Sequence, residues 1–195
     1  MTRLTPHNPG PHADEAGAAR QIVLELELRR LVLASGVGER QSDADSVATA
    51  TTGRVAELVP KVAAEKVAAL AIEACAKTKL RRASLRLVRE MARHETHRHL
   101  VADTLASVIQ RPDDLTEFVS IYWENGRVPL SGQVKKGLAA AFPKFDEHQL
   151  AECDRSGPVK LRDVLFLSHA KPRDAAQAAV WKRLIWGRLK PPPKG

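Results

Sequence analysis

This sequence predicts an all-α fold of short helices stacked as HEAT-like helical repeats, and three observations predict it. Apolar residues make up 44% of the 195 residues but aromatic ones only 4%, so alanine and leucine fill the core, which favours packed helices over sheets. No segment alternates apolar and polar residues over a strand's length. Apolar residues instead recur three and four apart in short segments joined by short polar turns, as in stacked helix pairs. No strict repeat is visible, so a compact bundle is the competing architecture.

Three regions are expected. Residues 1–18, rich in Pro, Gly and His, read as a disordered tail, residues 19–189 as the helical domain, and residues 190–195 as a Pro-rich tail. Within the domain, the first helix runs from Gln21 to Ala34 and stops at Ser35-Gly36. A Ser/Asp/Thr-rich linker reaches Thr52. Arg54 to Lys77 is helical, with Pro60 either kinking it or starting a second helix. Helices follow at Leu80–His94, Arg98–Gln110 and Leu115–Trp123, the last stopped by Asn125-Gly126. Leu130–Phe142, a short helix near His148, Leu161–Ser168 and Ala175–Leu189 complete the series.

The net charge of +8 is unevenly spread. Residues 79–99 carry a net +5 and residues 130–195 a net +7, while residues 1–78 and 100–129 are net negative. Two basic blocks are what a polyanion-binding surface needs, although a basic balance alone also occurs in proteins that bind no nucleic acid. Only two cysteines occur, Cys75 and Cys153, without metal-ligand spacing, so a reducing, cytoplasmic setting is the default. No window has the apolar length of a membrane span or a signal peptide.

Within Leu80–His94, Arg82, Arg86, Arg89 and Arg93 fall on one helical stripe, with Leu80, Ser84, Leu87 and Met91 opposite. Four guanidiniums so placed would pair with phosphates; a solvated face with local pairs such as Arg86 to Glu90 is the plainer reading. The run from His94 to His99 lacks the i, i+4 histidine pair of a helical zinc site, so surface histidines in a turn are expected. Gly132 to Gly137 lacks the spacing of a phosphate-binding loop. No nucleophile–base or paired-carboxylate signature appears, so the chain reads as no enzyme and as needing no cofactor.

The most informative stretch is Gln133–Pro172: a basic amphipathic helix containing Lys135 and Lys136, then, after Gly157-Pro158, a short helix. That second helix puts Arg162, Phe166 and His169 on one stripe, flanked by Lys160 and Lys171. A cation, an aromatic ring and a histidine can grip a phosphate and stack a base. For Phe166 taken alone, a core position is the favoured expectation, and Asp163 is expected to cap or orient the helix.

The segment from Phe118 to Pro172 resembles the TROVE domain of Ro-type RNA-binding proteins, in its Lys135-Lys136-Gly137-Leu138-Ala139 helix, its Lys144-Phe145-Asp146 and Gln149-Leu150 pairs, and its ending Ser168-His169-Ala170-Lys171-Pro172. A looser likeness covers most of residues 20 to 190. The resemblance implies a ring of HEAT-like repeats, of which this chain would be a truncated part. It implies binding of small non-coding RNA, of the Y-RNA kind, by the outer surface, and an exoribonuclease as a possible partner. Carried over residue by residue, it places Arg155 and His169 at RNA-binding positions and Lys135, Lys136, Arg162 and Lys171 at basic ones. Glu152-Cys153 stands where the family usually has Lys-Tyr, and a carboxylate there would repel phosphate.

The expectation is therefore a cytoplasmic, non-catalytic protein that binds small structured RNA in ribonucleoprotein assembly or RNA quality control. Its primary contacts would be Lys135, Lys136, Arg155, Lys160, Arg162, His169 and Lys171. Arg82, Arg86, Arg89 and Arg93 would form a secondary surface. The alternative is a helical-repeat interaction scaffold, or a degenerate remnant, in which RNA binding is lost.

Overall fold

The computed structural model describes residues 11–35, 44–156 and 158–187. Among the described residues the chain forms ten α-helices and no strand. These are α1 (Pro11–Ala34), α2 (Ala44–Leu58), α3 (Ala64–Cys75), α4 (Arg81–Arg93) and α5 (Arg98–Val108). They continue as α6 (Pro112–Tyr122), α7 (Gly132–Ala141), α8 (Glu147–Ser156), α9 (Leu161–Ser168) and α10 (Ala175–Ile185). The Pro-rich tail at 190–195 and the first ten residues lie outside the described residues.

Two starts differ from the sequence expectation. Helix α1 begins at Pro11, inside the segment expected as a tail, because proline suits the first helical turn and alanines follow it. Helix α2 begins at Ala44, inside the expected linker, where alanine favours a helix. Pro60 ends α2 rather than bending it. The tight turn Val59–Lys61 separates α2 from α3.

Side-chain caps fix several of the later helices. Asp146 and Gln149 form a reciprocal pair at the start of α8: Gln149 N–H donates to Asp146 Oδ1 at 2.9 Å, and Asp146 N–H to Gln149 Oε1 at 3.0 Å. Asp174 accepts from Gln177 N–H at 2.7 Å to start α10, and Gln177 Oε1 accepts from Arg173 N–H at 2.8 Å. Asp114 accepts from the N–H groups of Gln110 at 2.9 Å and Arg111 at 2.8 Å at the start of α6, and it pairs with Arg81 of α4.

Helix α4 lies at the centre, packed by α3, α5 and α6. It therefore buries residues on most of its circumference, polar ones included. Ser84 is buried and donates to the Ala71 carbonyl of α3 at 2.7 Å, while Arg89 and Glu90 are also buried. Helices α5 and α7 cross closely at Gly137, which lets their backbones approach. One continuous core runs from Leu28 of α1 to Trp181 and Leu184 of α10. Arg183 of α10 donates to both carboxylate oxygens of Glu147 at 2.7 and 2.6 Å, which ties the last helix to α8.

Candidate nucleic-acid interface

Helices α7 and α9 pack side by side and carry most of the expected contacts. Val134, Gly137, Leu138 and Ala141 of α7 face the core, which leaves Lys136 exposed on the opposite side and Lys135 half-buried on its flank. Helix α9 buries Leu161, Val164, Leu165 and Ser168 and turns Arg162 and Phe166 outward, one helical turn apart. Lys160, at the N-cap, and Lys171, beyond the end of the helix, are exposed. Arg155 belongs to α8, but its side chain lies outside the described residues.

His169 ends α9 in the left-handed conformation, φ 55° and ψ 30°, and its backbone N–H donates to the Phe166 carbonyl at 3.3 Å. The buried Ser168 hydroxyl donates to the Leu165 carbonyl at 2.9 Å and accepts from Ala170 N–H at 3.3 Å. This cap throws the His169 side chain to the surface.

One expectation for α9 needs correction. Phe166 is not a core residue: it is 60% exposed, because the helix buries the face carrying Val164 and Leu165 instead. Asp163 lies in the first turn of α9, where a carboxylate favours the helix start, with its carboxylate 3.7 Å from Arg162 and both side chains more than half exposed.

The four arginines of α4 form no open row. Arg82 lies 3.3 Å from Glu117 and 3.4 Å from Glu124, and Arg86 lies 3.1 Å from Glu124. The Arg89 side chain is only 4% exposed, with Nη1 at 3.2 Å from Glu90 and 3.9 Å from Glu124. Arg93 pairs with Glu90 at 3.2 Å. The acidic block at 100–129 thus answers the basic block at 79–99, because α6 lies along α4. Burial would push the Glu124 carboxyl up, yet the hydrogen bond from Arg86 and the charges of Arg86, Arg89 and Arg82 hold it below its ordinary range. Burial, with Arg93 nearby, lowers Arg89 from its usual value. Its Nε and Nη2 are buried without hydrogen-bond partners among the described residues, as is Arg86 Nε.

The histidine run also differs from expectation. His97 is buried, with Nε2 3.0 Å from the Val62 carbonyl and Nδ1 2.8 Å from the Thr96 hydroxyl. It is a structural tie between turns rather than a surface residue. Among the described residues no group of three or more potential ligands could hold a metal, and no helix is long and apolar enough to cross a membrane. Cys75 and Cys153 are buried free thiols, and burial pushes Cys75 up, which disfavours its thiolate.

The turn after α6 adds residues that the sequence reading used only as a helix stop. The Trp123 indole N–H donates to the Val128 carbonyl at 2.9 Å, and the Arg127 guanidinium lies 5.4 Å from the Trp123 ring centroid. An aromatic beside Gly-Arg is a weak sequence signal, because nothing in it shows that α9 packs nearby. No known protein family, curated protein or solved structure matches the chain.

Proposed function

We propose that this chain is a non-catalytic RNA-binding protein that takes small structured RNA on the α7–α9 surface. One observation carries the reading. Lys136 and Lys171 are exposed there and have no carboxylate partner among the described residues, whereas the α4 arginines are answered by Glu90, Glu117 and Glu124. A cation left unpaired on the surface is available to a phosphate and releases counterions when it binds. Arg162 and His169, both exposed, are proposed to extend this surface, with Lys135, Lys160 and Arg155 as its proposed neighbours.

The resemblance to TROVE domains supports Y-RNA-like hairpins as ligands. It also supports a HEAT-like superhelix as the arrangement of the helix pairs, and an exoribonuclease as a partner in RNA decay. Fluorescence anisotropy with a labelled Y-RNA-like hairpin tests the reading, comparing the native chain with Lys136→Glu/Lys171→Glu and with Arg155→Ala/His169→Ser. Removing two phosphate contacts should lower affinity and reduce the salt slope by about two. Equal affinities, or binding indifferent to salt, would overturn it.

The neutralised α4 row favours a second reading, a helical interaction scaffold or remnant that has lost RNA binding, since it removes the secondary basic surface. Partners captured from lysate that survive ribonuclease digestion would select it.

A further inference from the structure

Helix α1 turns an apolar stripe to solvent. Of the eight large apolar side chains exposed among the described residues, four lie on this helix: Ile22, Val23, Leu26 and Leu33, the first three by more than half. At about 100° per residue, Ile22, Leu26 and Leu33 fall within about 40° of one another. Leu24, Leu28, Leu31 and Val32 lie on the opposite side and hold the helix against α2, α3 and the turn Val59–Lys61.

The charged residues of α1 are drawn to its borders. Glu25 lies 3.5 Å from Lys66 and Arg29 2.7 Å from Glu73, both on α3, while Glu27 lies 2.9 Å from Arg54 on α2. The outward face is left mostly apolar, the reverse of an ordinary surface helix. Apolar surface of this kind marks a docking site. A lipid surface fits it poorly: Arg20, Arg29 and Arg30 are balanced by Glu25 and Glu27, without the basic excess of a membrane-surface helix.

The spacing points to a second helix of the same kind. Positions 22, 26, 29 and 33, spaced four, three and four apart, form the seam of a helix pair over about 18 Å. In a parallel pair Arg29 would meet Arg29 of the other copy, like charge on like. An antiparallel pair centred between Glu27 and Leu28 instead sets Ile22 level with Leu33 of the second copy, and Leu26 level with the stem of its Arg29. It also brings Glu25 of each copy within one residue's rise of Arg29 of the other, on the same flank. The seam is therefore complementary to itself in charge as well as in shape.

We propose that the outward face of α1 is a self-association surface, on which a second copy of this chain docks antiparallel, α1 against α1. The proposal is independent of the RNA-binding reading and uses none of its residues. A seam this short lies at the low end of specific interfaces, so the dimer should dissociate at concentrations on the order of micromolar.

Sedimentation equilibrium of the full chain, from low micromolar to submillimolar concentration, tests it. The native chain should pass from monomer to dimer. Leu26→Glu and Ile22→Glu, which put a carboxylate from each copy into the seam, should stay monomeric throughout. Both positions are exposed, so the core is untouched, and a melting temperature equal to that of the native monomer verifies it. A native chain that stays monomeric overturns the proposal, and so does dimerisation of both variants, which would place self-association on another surface. The orientation is read with a short bifunctional maleimide, since Cys75 and Cys153 are buried. Ile22→Cys mixed with Leu33→Cys should crosslink several-fold more than either variant alone. Equal crosslinking of each variant with itself would overturn the antiparallel pairing. A native chain that is monomeric but binds anionic phosphatidylserine vesicles, with Leu26→Glu failing to bind, would assign the stripe to a lipid surface instead.

Discussion

A Cβ placed on Gly137 would sit 2.9 Å from the Ala102 carbonyl oxygen and 2.9 Å from Leu105 Cβ. The first of these neighbours is backbone, so helix α5 itself would have to retreat. In an open helix, Gly→Ala stabilises by roughly 1 kcal/mol. Here the overpacking term of about 1–3 kcal/mol opposes that gain and should exceed it. Gly137→Ala should therefore lower the urea midpoint, with the slope unchanged. A raised midpoint would show that the α5–α7 crossing opens at little cost.

Asp114 is joined to Arg81 and to two backbone N–H groups. Both side chains of the pair are mostly buried, at 7% and 15% exposure. Asp114→Ala strands a buried guanidinium and uncaps α6, and should cost about 3–5 kcal/mol by chemical denaturation. Arg81→Ala should cost less, because the Asp114 carboxylate keeps its two backbone donors. An equal loss in the two variants would assign the whole effect to the ion pair.

Glu124 answers Arg82, Arg86 and Arg89 together. With 32% of its side chain exposed, it is screened more than a fully buried partner, so Glu124→Gln should cost about 1–2 kcal/mol at neutral pH. Because the folded protein holds this carboxyl below its ordinary value, the contribution is present above the ordinary carboxylate range. It is lost as pH falls through the folded value. Native and Glu124→Gln stabilities should therefore converge on acidification. A gap that stays constant down to acid pH would remove the carboxylate's charge as the cause.

The sequence shows which residues share a helix, and much less about what lies across from them. The bounds of α9 are legible because a turn precedes it and Ser-His-x-Lys-Pro ends it. The stripe of Arg82, Arg86, Arg89 and Arg93 is equally legible as periodicity, yet Arg89 is buried. Besides Glu90 on its own helix, it faces Glu124 on another segment, and no local pattern reports that α6 covers α4. Phe166 fails for the same reason: an aromatic in an apolar helix reads as core until the packed face is known. Three pieces of the family-like pattern also have structural explanations of their own. Gly137 permits a helix crossing, Asp146 and Gln149 cap α8, and Ser168-His169 ends α9. The likeness therefore speaks first to architecture. Lys136 and Lys171, exposed and without a carboxylate partner among the described residues, are where RNA binding has to be decided.

His169 separates those two roles, since its backbone serves the cap and its imidazole faces solvent. A non-glycine residue in the left-handed region carries a cost of about 1–2 kcal/mol, which glycine does not. Glycine returns part of that gain through its greater freedom in the unfolded chain. His169→Gly should therefore raise stability by about 0.5–1 kcal/mol, whereas His169→Val, β-branched at a positive φ, should lower it. If the imidazole contacts RNA, His169→Gly loses hairpin affinity while melting at a higher temperature. A lower melting temperature would instead mean that the side chain supports the end of α9, and a weakened hairpin affinity in that variant would then report on the cap.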